Sequence, residues 1–157
     1  MKNITIAQLL AFEEGFRAEP YYCSEGYPTI GIGQKIGRKG DPLECYTFTV
    51  SLEVAEAMLE SELEGVNNYL DKKIREMPFA RWDQPRDVIL QSMAYQLGTT
   101  GLDKFKNMWK AIDLGDWGTA AKEALDSRWA KQQTPDRASR HAEVLRTGDW
   151  SAYEGLI

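Results

Sequence analysis

The stretch EEGFRAEPYYCSEGYPTIGIG, residues 13–33, decides the fold, because the sequence pattern changes within it from one typical of a helix to one typical of short strands and turns. Before it, Ile6, Leu9 and Leu10 recur at helical spacing, and Gly15 suits the left-handed position that ends a helix. Within it and just after it, prolines and glycines separate short β-prone pieces such as YYC and YPTIGI. We therefore predict a helix over residues 5–14, followed by a small antiparallel sheet.

A long helix is predicted next. Ser51 is a good N-cap, and Pro78 stops the pattern. Between them one apolar stripe recurs at steps of three and four, made of Leu52, Ala55, Leu59, Leu63, Val66, Leu70, Ile74 and Met77. A helix of this length extends about 37 Å. We expect it to join two parts of the molecule.

The remaining residues are predicted to form shorter helices, over residues 87–97, 103–114, 117–130 and 135–146. The predicted fold class is α+β: a sheet lobe (13–50), a connecting helix (51–77) and a helical lobe (78–157) that also takes the N-terminal helix (1–12). We expect the 157 residues to form a single two-lobed domain.

Composition narrows the function classes. A net charge of −5 disfavours a general nucleic-acid binder. The acidic run over residues 53–64 is interpreted as a solvated helix face, whereas the basic run over 128–146 could face an anionic polymer. With His141 as the single histidine and no clustered Cys/His spacing, we predict no metal site and no cofactor. No apolar run is long enough to span a membrane, and the N-terminus lacks the features of a signal peptide.

Glu14 is the leading candidate for chemistry. The predicted helix ends there, and the negative end of the helix dipole disfavours an ionised carboxylate. A carboxyl group that stays protonated can act as a general acid on a glycosidic oxygen. The alternative is an ordinary surface glutamate, which is our interpretation of the neighbouring Glu13.

Residues 14–33 closely resemble the active-site segment of the phage-type lysozymes, glycoside hydrolase family 24. The family pattern is Glu, eight residues, Asp or Cys, five residues, Thr, and here it falls on Glu14, Cys23 and Thr29. The resemblance continues in YQLGTTGLDKF, DSRWAKQQTPDRASR and RTGDWSAYEGLI, so it covers nearly the whole chain in order. It implies a two-lobed muramidase that cuts the bond between N-acetylmuramic acid and N-acetylglucosamine in peptidoglycan, with inversion at the anomeric carbon.

The resemblance also implies site roles. Glu14 would be the general acid, position 23 would face the opposite side of the sugar, and Thr29 would hold the attacking water. Arg137 matches the arginine that holds the catalytic glutamate in position. Further sugar contacts are implied at Tyr95 and Gln96, which match the cleft between the lobes, and at Lys35 and Met108, which replace a leucine and a serine of the family. Gln34 stands where a histidine is common.

Cys23 leaves several hypotheses open. It could act as a thiolate base, as a transient nucleophile or as a weak polar partner of Glu14 and Thr29. It could also be a buried free thiol, or half of a disulfide with Cys45, although a reducing cytosol would keep both as thiols.

The resulting interpretation is a phage endolysin, a monomeric, metal-independent enzyme that lyses the host cell by hydrolysing peptidoglycan. Because no export signal is evident, we expect synthesis in the host cytoplasm and release to the periplasm through a holin pore. The alternative is a peptidoglycan-binding or tail-associated domain with weak or no catalysis. We expect neither nucleic-acid binding nor stable membrane insertion.

Overall fold

A computed structural model describes residues 2–157 and confirms the predicted α+β class. Two units are compact: a sheet unit, Leu10–Glu64, and a helical unit made of the described residues up to Leu9 together with Gly65–Ile157. The boundaries between the units fall within the two helices α1 and α2, defined below. None of the helices among residues 2–157 is long and apolar enough to cross a membrane.

The N-terminal segment folds as predicted. Helix α1 spans Ile6–Glu14 and is followed by three antiparallel strands, β1 (Arg17–Tyr22), β2 (Pro28–Gly31) and β3 (Gln34–Lys35), in the order β1-β2-β3. Strand β2 is central and buried along its whole length. Gly31 allows the sheet to pack closely, because a Cβ there would lie 3.1 Å from the Cβ of Ala55 on α2.

Helix α2 spans Leu52–Glu76 and confirms the predicted long helix. The Ser51 hydroxyl accepts from the Val54 N–H at 3.3 Å, so Ser51 is its cap. Most of the predicted stripe is buried, but Leu52 is 46 % exposed because it lies in the first turn, at the end of the helix. The glutamates of the acidic run are all exposed, as expected.

The helical unit follows the prediction less closely. Helix α3 spans Gln84–Leu97 and begins three residues earlier than predicted, because Asp83 caps it by accepting from the Arg86 N–H at 3.0 Å. The helix predicted over 103–114 begins later and forms α5 (Lys106–Asp113), and a short helix that was not predicted, α4 (Thr99–Asp103), precedes it.

The helix predicted over 117–130 is α6 (Trp117–Leu125), followed by a wider helical turn over Trp129–Gln133. Helix α7 spans Pro135–Thr147 and ends at Gly148, with φ 74°, as expected. Short 3-10 turns lie at Leu43–Cys45 and Ser151–Tyr153.

Indole hydrogen bonds tie the helical unit together. Each of the five tryptophans donates its indole N–H, to an acceptor at 2.6–3.3 Å. The donors are Trp82, Trp109, Trp117, Trp129 and Trp150. Because a buried N–H without an acceptor is costly, these bonds give each large ring a fixed orientation as well as apolar burial.

Candidate active site

Glu14 is the last residue of α1 and is half-buried. The helix ends there because Gly15 takes a φ of 70°, while its N–H still donates to the Ala11 carbonyl at 3.1 Å. The carboxyl group therefore lies at the negative end of the helix dipole. Both the predicted helix end and the role of Gly15 are confirmed.

Gly33, in the turn between β2 and β3, lies directly against the Glu14 carboxyl group. A Cβ at this position would lie 2.6 Å from Glu14 Oε2 and 2.8 Å from its Cδ. The φ of 68° also favours glycine here. Backbone of the sheet thus borders the carboxylate, and no other residue type would allow this approach without moving it.

One carbonyl joins the other two predicted catalytic residues. The Tyr27 carbonyl accepts from the Cys23 N–H at 3.0 Å and from the Thr29 hydroxyl at 2.8 Å. Cys23 directly follows β1, and Gly26 closes the turn by donating to the Cys23 carbonyl at 2.9 Å. The Thr29 hydrogen is directed at Tyr27, so the lone pairs of its oxygen remain as acceptors, although Thr29 is only 1 % exposed in this structure.

Tyr21 lies close enough to Glu14 and Cys23 for both to affect the pKa of its hydroxyl. Burial raises the pKa of its hydroxyl, and negative charge on Glu14 raises it further, with Cys23 adding a smaller effect in the same direction. Arg17, whose guanidinium lies 4.4 Å from the Tyr21 ring centroid, opposes them. Tyr21 also pairs with Thr29 in the sheet. At neutral pH the Tyr21 hydroxyl is therefore a protonated donor within this group.

Sequence reasoning missed Tyr21 and the specific role of Gly33. A signal was present for Gly33, because the GIG run after β2 indicates tight turns. Nothing in the sequence distinguishes Tyr21 from the adjacent Tyr22, which is 45 % exposed and donates instead to the Asp41 carbonyl at 2.7 Å. Alternation along β1 decides between them, and that requires the strand register.

Both cysteines are free thiols. Cys23 is half-buried and Cys45 is exposed. The hypothesis of a Cys23–Cys45 disulfide is therefore not realised in this structure. A half-buried thiol beside the sheet is consistent with the remaining hypotheses, in which Cys23 is either catalytic or a packed free thiol.

Lys35 and Gln34 form β3, next to the same group. The Lys35 ammonium lies 4.5 Å from the Tyr27 ring centroid, and Lys35 pairs with Thr29 across the sheet. Lys35 is exposed and Gln34 half-buried. The Lys35 cation thus lies close to Tyr27, whose carbonyl accepts hydrogen bonds from both Cys23 and Thr29.

The other predicted binding residues lie in the helical unit. Gln96 is held on both sides of its amide: its carbonyl oxygen accepts from the Trp129 indole at 2.9 Å, and its nitrogen donates to the Thr134 hydroxyl at 3.1 Å. Tyr95 is 7 % exposed and Met108 only 1 %. In this conformation Met108 offers almost no surface to a sugar, and the roles of these residues stay predictions.

Arg137, at the start of α7, is 5 % exposed although it belongs to the basic run. Its Nη2 donates to the Ser92 hydroxyl of α3 at 2.9 Å. Other cations of that run, Arg128, Lys131 and Arg146, are exposed. The run is therefore not one solvated face, since Arg137 is directed into the unit.

Comparison with known proteins adds the decisive observation. The model of the family described as phage lysozyme matches residues 11–143 of the chain, which include every residue predicted for the site. The chain belongs to the phage lysozyme family. It is a glycoside hydrolase of the lysozyme type.

Three curated proteins are similar to this chain over 96% of its length. The chain is 30% identical to probable T4-type lysozyme 1 of Dictyostelium discoideum and 29% identical to probable T4-type lysozyme 2, covering 96% of this chain and 98% of each relative. It is also 31% identical, over 96% of its length, to the pre-baseplate central spike protein Gp5 of Enterobacteria phage T4. The chain spans only 29% of the length of that spike protein.

Proposed function

We propose that this lysozyme hydrolyses the β-1,4 bond between N-acetylmuramic acid and N-acetylglucosamine in peptidoglycan, with Glu14 as the general acid. The observation that carries the proposal is the placement of Glu14 at a helix end against Gly33, beside strands that hold Cys23 and Thr29 on one carbonyl. The Glu14 proton passes to the glycosidic oxygen as the bond to the anomeric carbon breaks.

Water completes the reaction from the opposite face of the sugar. Thr29 accepts a hydrogen bond from this water, and the Cys23 thiolate takes its proton as the oxygen bonds to the anomeric carbon. Displacement by water on the face opposite the leaving group inverts the configuration. The proton balance closes when Glu14 is reprotonated and Cys23 releases its proton to solvent.

Substrate binding is proposed for Lys35 and Gln96, which would contact sugar through polar groups, and for Tyr95 through apolar surface. The family pattern adds Met108, but at 1 % exposed it has almost no surface to offer in this conformation. Arg137 is proposed to support Glu14, in keeping with its place in the family pattern. Lys35 is supported most directly, because it is exposed and lies on β3 beside Thr29.

For biological context, we propose an endolysin that acts as a monomer in the periplasm after holin-mediated release, and lyses the host cell. A net charge of −5 is unfavourable on an anionic wall. Activity should therefore depend on ionic strength, with moderate salt screening the repulsion.

The test uses purified protein on Gram-negative cells with a permeabilised outer membrane, where clearing supports the enzyme. Cys23→Asp should keep substantial activity, Cys23→Ala should lose most of it and Glu14→Gln nearly all. A Cys45→Ala variant is the matched control, because it removes an exposed thiol and should leave the rate unchanged. An unchanged rate in Cys23→Ala, or after alkylation of Cys23, would make that thiol a bystander.

A second candidate function is a tail-associated domain that binds peptidoglycan with weak or no catalysis. The 31% identity to part of a phage spike protein is the observation in its favour. Binding to purified sacculi without release of fragments would support this function over the endolysin. The same outcome would refute the enzymatic mechanism proposed for Glu14.

A further inference from the structure

A buried chain of polar side chains runs through the helical unit. Arg137 Nη2 donates to Ser92 Oγ at 2.9 Å, Ser92 Oγ lies 2.8 Å from His141 Nε2, and His141 Nδ1 lies 2.7 Å from the Tyr153 hydroxyl. Ser92 and His141 are 0% exposed and Tyr153 is 1% exposed. Helices α3 and α7 and the turn at Ser151–Tyr153 each contribute to it.

The hydrogen bonds of this chain have one consistent direction. The Ser92 oxygen already accepts from Arg137, and its own hydrogen is buried and needs an acceptor. Among the contacts of Ser92 that the structure describes, His141 Nε2 is the one acceptor. His141 must then carry its proton on Nδ1 and donate to Tyr153. Donation thus runs outward from the Arg137 cation, through Ser92 and His141, to Tyr153.

The surroundings of His141 support this arrangement. Burial lowers its pKa well below the ordinary value, and the positive charges of Arg137 and Arg140 act in the same direction. Two aromatic rings also lie against the imidazole, with the Trp129 and Tyr153 ring centroids at 6.0 and 6.2 Å. Arg140 lies 5.8 Å from the Tyr153 ring centroid. The imidazole is therefore neutral, which leaves Nε2 free to accept.

We propose that Ser92, His141 and Tyr153 are positioning residues, which hold the Arg137 guanidinium in one orientation and thereby support peptidoglycan cleavage. The inference rests on the proposed function, in which Arg137 supports Glu14. A long arginine side chain has many rotamers, and a directed chain of acceptors limits them. None of the three residues belongs to the Glu, Cys, Thr pattern of the family.

The first test measures the tautomer directly. Because His141 is the only histidine, the ring ¹⁵N signals of labelled protein report on it alone. At neutral pH we expect a protonated Nδ1 and an unprotonated Nε2. In Arg137→Gln the cation that orients the chain is absent, and we expect the two neutral tautomers to become more evenly populated. A wild-type protein protonated on Nε2 would overturn the proposed direction.

The second test separates positioning from general stability. Tyr153→Phe removes only the hydroxyl that accepts from His141, and kcat should fall about three- to tenfold, the rate equivalent of one hydrogen bond, with KM unchanged. Tyr69→Phe is the matched control, because the Tyr69 hydroxyl donates to Asp103 at 3.0 Å, outside the chain. We expect its kcat to stay within about twofold of wild type, since no hydrogen bond of the chain is lost.

Two variants of His141 complete the test. Gln can accept from Ser92 and donate to Tyr153, so His141→Gln should retain more activity than His141→Leu, which can do neither. Equal kcat in Tyr153→Phe, Tyr69→Phe and wild type would overturn the positioning role. If wild-type protein did not cleave sacculi, the proposed function would be refuted instead. The His141 tautomer measured by NMR would then still test the direction of the hydrogen bonds from Arg137 to Tyr153.

Discussion

Replacement of Gly33 by alanine tests the placement of Glu14. The new Cβ would lie 2.6 Å from Glu14 Oε2, so the carboxylate must move by about 0.8 Å to reach an ordinary contact of 3.4 Å. A displacement approaching 1 Å at a reacting group can cost a factor of about 100 in rate, so we expect kcat to fall between about 10- and 100-fold. The positive φ adds a stability cost of about 1–2 kcal/mol.

Gly40→Ala is the matched control for backbone strain. Gly40 has a φ of 82°, but a Cβ there would meet nothing within 4 Å. Both variants should lose about 1–2 kcal/mol of unfolding free energy in urea, because both place a side chain at positive φ. Only Gly33→Ala should lose activity beyond that explained by the folded fraction. Equal specific activities of the two folded variants would refute the reasoning that Gly33 holds the Glu14 carboxyl group in place.

Three further predictions concern the helical unit. Because folding lowers the pKa of His141, the free energy of unfolding should be constant above pH 6.5 as far as this group is concerned, and should fall by about 1.4 kcal/mol per pH unit below it. Urea denaturation from pH 7 to 5 would measure this slope. His141→Gln should show a smaller slope, and equal slopes in the two proteins would contradict the prediction. Gln96→Leu should cost about 1–3 kcal/mol, because the Trp129 indole loses its acceptor, and an unchanged urea midpoint would exclude that role. Lys73→Met should raise the pKa of Asp103 from about 2, because the hydrogen bond from Lys73 is the main reason that this pKa is low. If the Asp103 carboxyl titrated at the same pH in both proteins by NMR, this cause would be contradicted.

Much of the fold could be predicted from the sequence because local signals and tertiary packing agree. Ser51 and Pro78 bound α2, and Gly15 and Gly148 end their helices in left-handed conformations. One predicted boundary was wrong for a local reason. The helix predicted over residues 103–114 begins only at Lys106, because the Lys104 N–H bonds to the Gly101 carbonyl and ends the short helix α4 before it.

The spacing of Glu, Cys and Thr predicts Glu14, Cys23 and Thr29 as members of the candidate site, and their catalytic roles stay predictions. The spacing contains no information about the close approach of Gly33 to Glu14 or about the Tyr27 carbonyl that Cys23 and Thr29 share. These features depend on how the strands pair and on how the turn between β2 and β3 lies against the end of α1. Met108 illustrates the opposite case, since a position matched to a sugar contact is 1 % exposed in the structure.

Buried polar residues were the least predictable. Nothing in the sequence distinguishes His141 from the other residues of an amphipathic helix. Its hydrogen-bond partners lie 49 residues away in the sequence, at Ser92, and 12 residues away, at Tyr153. Only the packing of α3, α7 and the turn at Ser151–Tyr153 on one another brings these groups together. Their hydrogen-bond directions follow once the partners are known, since each buried donor needs an acceptor.

The most direct measurement is the initial rate at which purified sacculi release new reducing ends, with the sugar at each new end identified. Wild-type protein should release fragments that end in N-acetylmuramic acid, and Glu14→Gln should release almost none under the same conditions. Glu13→Gln is the control, because it changes the adjacent carboxylate and should retain the wild-type rate. Release at the wild-type rate by Glu14→Gln, or fragments ending in N-acetylglucosamine, would contradict the proposed muramidase mechanism.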